Sequence, residues 1–257
     1  MTTLAYAVRD SNTMLKRNLR PMVRYPAMTV MLAGMPIIFL LLFVFVFGGT
    51  LGAGLGGSRA DYLTYVVPGI LLMMIGGAAT GTSVSIAMDM TEGIVARFRT
   101  MAIARVSLLT GHVLGSIIQT FIGLVIVLGV AVAVGFRTDT SLAGWLGIAG
   151  VLAMASFAFT WLAVALGMIA KTVEEASNTP LPLSLLPFLG SGFVPTDTLP
   201  TGLRQFAEYQ PYTPIMETIR ALLAGTPVGS NLAISAAWCA GIALAGYLWA
   251  KRSYNRK

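Results

Sequence analysis

"VVPGILLMMIGGAATGTSVSIAM" at 66–88, followed directly by "DMTEGIVARFRTMAIAR" at 89–105, decides how this chain folds. The first stretch carries no charged side chain. At a rise of about 1.5 Å per residue, roughly 20 apolar residues cross the hydrocarbon core of a bilayer. The second stretch holds two acids and three arginines, and another apolar run follows at 108–134. A charge-rich segment of helix length between two spans is more than a connection requires.

The same apolar pattern recurs outward from this pair. The chain is 56% hydrophobic and 11% charged over 257 residues, against roughly 25% charged for a soluble domain. It reads as an all-α polytopic membrane protein with six spans, at 27–47, 66–88, 108–134, 145–170, 176–194 and 232–250. Pro180, Pro182 and Pro187 interrupt the fifth, which a span tolerates where neighbouring groups satisfy the freed carbonyls. The basic lead before the first run is too long for a signal-peptide n-region, so that run reads as a retained span. Residues 27–257 are expected to form one transmembrane domain, preceded by an interfacial region at 1–26.

Orientation follows from the basic residues. Thirteen of the 17 lysines and arginines fall before the first span, between spans two and three, at Lys171, or in the C-terminal tail. Arg59, Arg137, Arg204 and Arg220 fall on the other side. The excess of positive charge in short cytoplasmic segments places both termini inside, in a multi-pass protein of the bacterial cytoplasmic membrane. The net charge of +7 is then a matter of topology and anionic headgroups, not of nucleic acid.

Most chemistries are excluded. Cys239 is the single cysteine and His112 the single histidine, so neither a disulfide nor a clustered metal site is in prospect. His112, at the start of a span, reads as an interfacial polar residue, and no nucleophile–base pair accompanies it. "GGTLGAGLGG" at 48–57 has no Lys-Ser or Lys-Thr after it and reads as a flexible external turn. In "GMIAKT" at 167–172, Ala170 stands where a phosphate-binding loop needs its second glycine. The chain is expected to bind no nucleotide, cofactor or metal and not to be an enzyme. Span interiors almost free of ionisable groups argue against ion-coupled transport.

Two further segments are amphipathic. "LAYAVRDSNTMLKRNLRPMVRYP" at 4–26 can lie on the inner leaflet with Arg9, Lys16, Arg17, Arg20 and Arg24 at the headgroups. Within 193–225 a helix is predicted with Thr213 as N-cap, Pro214 in its first turn and Gly225 at its end. Ile215, Ile219 and Leu222 would share one face, and Glu217 and Arg220 would pair at i,i+3. Too short to span, this helix is expected to dip into or lie on the outer leaflet. Gly77–Gly81, Gly111–Gly115 and a stripe through Gly241 have the small-residue spacing that lets helices approach closely.

Read as a helix, 92–105 sets Ile94, Phe98, Met101 and Arg105 on one face, with Arg97 and Thr100 on another and Arg99 on the far side. An apolar ridge edged by charge suits a partner's groove or a lipid surface. Here, with "YVVPGILLMM" at 65–74, "GFR" at 135–137 and "GSGFVPTDTLPTGLRQFAEYQPYTPIMETIRALLAG" at 190–225, the chain resembles permease subunits of ABC type-2 exporters, the daunorubicin-resistance-like group in particular.

The resemblance implies a coupling helix in the first cytoplasmic loop, gripped by a separate ATP-binding subunit that carries ATP and Mg. Glu92, Gly93, Ile94, Arg97, Phe98, Arg99, Met101 and Arg105 would form that contact. It further implies a second permease, identical or paralogous, and short external helices that close an outer gate. Those helices would involve Pro195, Pro200, Pro211, Pro214, Glu217 and Arg220. The family often has a proline where this chain has Ala102, and alanine favours a continuous helix where proline would bend it. The expected cargo is a hydrophobic or amphipathic small molecule, such as a drug or antibiotic, moved outward. Export of lipid-linked glycan or lipid is the near alternative, and a channel or membrane-embedded enzyme the distant one.

Overall fold

The computed structural model describes residues 4–55, 57–93 and 105–256, and every regular element among them is helical. α1 (Leu4–Arg24) leads into α2 (Pro26–Leu41), which passes through a π-helical turn (Leu42–Phe47) into α3 (Gly48–Gly54). The long helices α4 (Arg59–Thr91), α5 (Arg105–Val134) and α6 (Leu142–Ile169) follow. Short elements come next: α7 (Val173–Asn178), α8 (Leu181–Leu185), α9 (Thr201–Tyr209) and α10 (Tyr212–Ala224). α11 (Asn231–Arg256) ends the chain.

Among the described residues, five helices are long and apolar enough to cross a membrane: Thr29–Gly54, Arg59–Thr91, Leu109–Val134, Leu142–Ile169 and Asn231–Tyr254. α4 and α6 are buried along most of their length, whereas the other three expose one long apolar flank. This is the expected division for a bundle in lipid, where outward-facing side chains such as Met31, Val125 and Leu244 need no polar cover.

The 176–194 region is not one helix. α7 and α8 give way to a 3-10 turn (Leu186–Leu189) and irregular backbone. Pro180, Pro182 and Pro187 lack the N–H that a continuous helix would use, and the chain breaks around them. The broken segment nevertheless follows α4 from end to end. Ala176 packs with Ala87, Leu183 lies over Gly76, and Gly192 lies over Gly69. A Cβ on Gly76 would sit 2.8 Å from the Leu183 carbonyl oxygen, so the close approach depends on glycine there. Phe188 and Phe193 then stack at 4.4 Å, and Phe43 stacks on Phe193 at 4.4 Å, which pins the segment to the first long helix.

One local expectation is corrected and another is sharpened. The glycine-rich 48–54 is helical, not a loose turn. Gly52 is buried against the returning chain, and a Cβ there would lie 2.6 Å from the Ser58 carbonyl oxygen. Ser58 then starts α4 through reciprocal capping, its backbone N–H donating to Asp61 at 2.7 Å. The helix predicted near 213–225 is α10, closed by Gly225 at φ 64°. It is packed into the bundle on one face: Tyr212, Ile215, Met216 and Ile219 are fully buried, and the helix meets α4, α6 and α11.

The packing defines two ends of the bundle. Met14, Ile86, Leu109, Trp161, Met168 and Tyr254 cluster where α1, the end of α4, the start of α5 and the C-terminus meet. The start of α4, residues 190–193 and the end of α10 lie at the other. Hereafter these are the terminal end and the distal end.

Candidate functional site

At the terminal end, three helices converge on one carboxylate. Asp89, in the last turn of α4, is 7% exposed. Arg17 of α1 donates from one guanidinium nitrogen to both Asp89 oxygens, at 2.7 Å each. His112 of α5 places its Nε2 2.9 Å from Asp89 Oδ2 and is 5% exposed. An ionised carboxylate only accepts, so Nε2 of His112 carries the proton in this contact. A charge this far from water is stable when it is paired and hydrogen-bonded, as here.

The cluster stands immediately beside the loop between α4 and α5. α4 ends with Glu92 as its C-cap, and Gly93 takes the left-handed conformation at φ 70°, which turns the chain out of the helix. α5 begins at Arg105, whose side chain is outside the described residues. Ile94, Arg97, Phe98, Arg99, Met101 and Ala102 also lie outside the described residues. The proposed partner-binding ridge thus has described flanks: Asp89 before it and His112 after it.

α1 is bound to α5, not only poised at a leaflet. Met14 and Asn18 lie over Gly111 and Gly115, where an added Cβ would come within 2.5 Å and 3.0 Å of their side chains. That glycine pair therefore seats α1, where a contact between spans was one expectation. Among the described residues, a Cβ at Gly81 or Gly241 would meet no atom within 4 Å, and one at Gly77 would only touch Leu32 at 4.0 Å. Lys16, Arg20 and Arg24 are exposed along α1, and Arg9 lies in the helix with its side chain outside the described residues.

The distal end is organised by Arg220 of α10. Its guanidinium carbon lies 3.8 Å from the centroid of the Tyr65 ring. Nε donates to the Tyr65 carbonyl at 3.1 Å, and Nη1 donates to Ser191 Oγ at 3.0 Å and to Glu217 at 2.6 Å. Nη2 donates to the Ser191 carbonyl, which also accepts from the Tyr65 hydroxyl at 2.9 Å. One planar cation thus ties α4, the broken segment and α10 together. Thr138 and Thr140 donate to the Leu223 carbonyl at 2.9 Å and 2.6 Å, which satisfies a backbone group at the end of α10. A cavity of about 890 Å³ opens here between Asp61, Tyr65, Arg137, Asp139 and Arg220.

The prolines named from sequence sit at element starts. Pro195 precedes a 3-10 turn (Thr196–Thr198), Pro200 precedes α9, Pro211 precedes α10, and Pro214 is in the first turn of α10. Thr213 is not the N-cap. Its hydroxyl donates back to the Ala207 carbonyl at 2.5 Å and accepts from the Ser191 N–H at 3.3 Å. Burial pushes the Tyr212 hydroxyl pKa up, and this ring stacks on Phe159 at 4.8 Å.

The sequence alone does not single out Asp89, and it presents His112 as isolated. The available signal was an acid at the end of one apolar run and the lone histidine near the start of the next. Adjacent antiparallel helices bring such positions to similar depth.

Residues 10–224 match the family model described as "ABC-2 type transporter". The chain is 29% identical over 238 residues to the daunorubicin resistance ABC transporter permease protein DrrB1 of Streptomyces coeruleorubidus, covering 90% of this chain and 82% of that one. It is 28% identical over 178 residues to a probable doxorubicin resistance ABC transporter permease protein, DrrC, of Mycobacterium tuberculosis, covering 66% and 63%. With five long apolar helices and a family match over most of its length, the chain belongs to the ABC-2 type transporter family, as a multi-pass membrane permease.

Proposed function

We propose that this permease moves a hydrophobic or amphipathic small molecule outward, driven by a separate ATPase subunit that docks on 92–105 and carries ATP and Mg. The terminal end is the cytoplasmic one, because thirteen of the 17 basic residues lie in segments assigned to it. The broken 173–194 segment is the remaining crossing, so the chain crosses six times with both termini inside. Two permeases, identical or paralogous, complete the transporter.

The observation that carries the coupling role is the Asp89 cluster. Arg17 and His112 hold the two helices flanking 92–105 to α1, so a push on that loop is delivered to three helices as a unit. Charged pairs in low dielectric are stiff links, since separating them exposes an uncompensated charge. At the distal end, Arg220 and the prolines of α9 and α10 form the outer gate in this reading.

The test is ATP-dependent accumulation of a panel of lipophilic drugs, neutral and cationic, in inside-out vesicles containing the permease with its ATPase. Uptake that requires both subunits and hydrolysable ATP supports the proposal. Absence of stimulation across a broad drug panel, together with ATP-dependent movement of a labelled lipid, would replace drug cargo with lipid.

A further inference from the structure

Beside the Asp89 cluster, a second cavity of about 220 Å³ lies between α1, α4 and α5. Its wall is polar: Asn18 from α1, Thr82 and Ser85 from α4, and His112, Ser116 and Gln119 from α5. Most of these side chains belong to helices long and apolar enough to cross a membrane. Ser116 stands about 10 Å along the apolar stretch of α5 that begins at Leu109, at 1.5 Å per residue.

The hydrogen bonds of this wall are only half used. Thr82 donates to the Ala78 carbonyl at 3.0 Å and meets the Ser116 hydroxyl at 2.5 Å, while His112 is committed to Asp89. Asn18, Ser85 and Gln119 bond to nothing among the described residues. Lipid tails cannot satisfy them, and polar side chains on and beside spanning helices pair or line a cavity that holds something polar. The space exceeds what a single bridging water fills. Gly81 is part of its wall, and nothing among the described residues lies within 4 Å of a Cβ placed there.

The cavity continues into apolar space. Met22 lines both it and a groove of about 340 Å³ whose other walls include Val30, Ile118, Ile122 and Ile126. Val30, Ile118 and Ile122 are exposed on the flank of the bundle, so the groove opens towards lipid. A polar pocket joined to a lipid-facing apolar groove matches one kind of molecule. Charge narrows it further, because no acid, lysine or arginine lines the polar pocket among the described residues. The nearby carboxylate of Asp89 is already closed by Arg17 and His112. An ammonium would find no carboxylate to hold it, and a phosphate no cation.

We infer that this is a binding site for an amphiphile with an uncharged, hydroxyl- or amide-bearing head, reached from the leaflet at the terminal end. The head bonds to Gln119, Ser85 and Asn18, and the apolar body lies along Ile118, Ile122 and Ile126. Resting on the exporter reading, the occupant is cargo loaded before transport.

Three photoactivatable probes of equal chain length test this on the full-length permease in nanodiscs, with neither ATPase nor nucleotide. They are a diazirine monoacylglycerol, the matching lysophosphatidic acid and the matching alkylammonium. The expected result is labelling of α4 and α5 peptides around Ser85 and Ile118–Ile126 by the neutral probe, in excess over both charged probes. Gln119→Leu should cut that labelling about tenfold, and Gln119→Asn should restore most of it. Equal labelling by all three probes, labelling elsewhere, or indifference to Gln119→Leu overturns the site. In a Cys239→Ala background, a disulfide between two Gln119→Cys copies would put a second permease on this face and also overturn it. Because labelling needs no ATP, a failed site leaves the vesicle test of the exporter reading intact. Labelling without ATP-driven transport would count against that reading alone.

Discussion

One guanidinium nitrogen of Arg17 bonds both carboxylate oxygens of Asp89 at 2.7 Å, fastening the N-terminal amphipathic helix to the end of α4. α1 is thereby a part of the bundle. Its basic face meets the surroundings through Lys16 and Arg20, while Met14 and Asn18 are seated on the glycines of α5.

Asp89→Asn removes the charge that both Arg17 and His112 address. Denaturation in detergent should show a loss of about 1–3 kcal/mol, the range for hydrogen bonds to charged groups. A double-mutant cycle with Arg17→Gln should return a coupling energy of about 1–2 kcal/mol. Strict additivity would mean that the pair contributes nothing in the membrane-like environment.

The loop itself is tested through its partner. Phe98→Ala combined with Arg97→Ala should lower recovery of the ATPase in pull-downs by about tenfold or more, as truncation of an apolar anchor and a charge does at interfaces. Membrane insertion and thermal stability of the permease should stay near wild type. Undiminished ATPase recovery and transport would remove 92–105 from the contact.

Arg220→Ala removes the partner of Glu217 and of the Ser191 hydroxyl, leaves the Ser191 carbonyl with the Tyr65 hydroxyl alone, and takes the cation from the Tyr65 ring. The expected cost is about 2–4 kcal/mol, with Arg220→Lys recovering less than half, because an ammonium cannot reproduce the planar fork. Glu217→Gln should cost under about 1 kcal/mol, since that side chain is partly exposed and its pairing is screened. Thermal unfolding of the three variants ranks them directly.

Two glycines of similar spacing should behave oppositely. At Gly111 a Cβ would come within 2.5 Å of Met14, so Gly111→Ala should loosen α1, lower stability by about 1–3 kcal/mol and raise protease cleavage within 4–24. At Gly81 the space is open, and Gly81→Ala should be neutral or stabilising by up to about 1 kcal/mol from helix propensity. Equal effects would show that helix propensity, not the seat for α1, controls both positions.

The legible part of this protein was what hydropathy carries. Span 66–88 became the core of Arg59–Thr91, 145–170 became Leu142–Ile169, and 232–250 became part of Asn231–Arg256. The boundaries grew because charged and polar caps such as Ser58 and Asp61 extend a helix beyond its apolar centre. Pro180, Pro182 and Pro187 announced an interrupted segment, and the structure turns that interruption into short helices following the glycines of α4. The pairing of Glu217 with Arg220 was legible from i,i+3 spacing, whereas the grip of Arg220 on Tyr65 and Ser191 was not.

The amino-acid sequence by itself determined that this is a helical membrane protein, where its long helices run, and how basic charge is distributed between their connections. Those properties are sums over neighbouring residues and survive any arrangement of the helices. Tertiary structure alone decided that Asp89 meets Arg17 and His112, that α10 is buried among α4, α6 and α11, and that Asn18, Ser85 and Gln119 face one cavity. A helix fixes which residues share a face. Which face meets which neighbour is settled only when all of them pack.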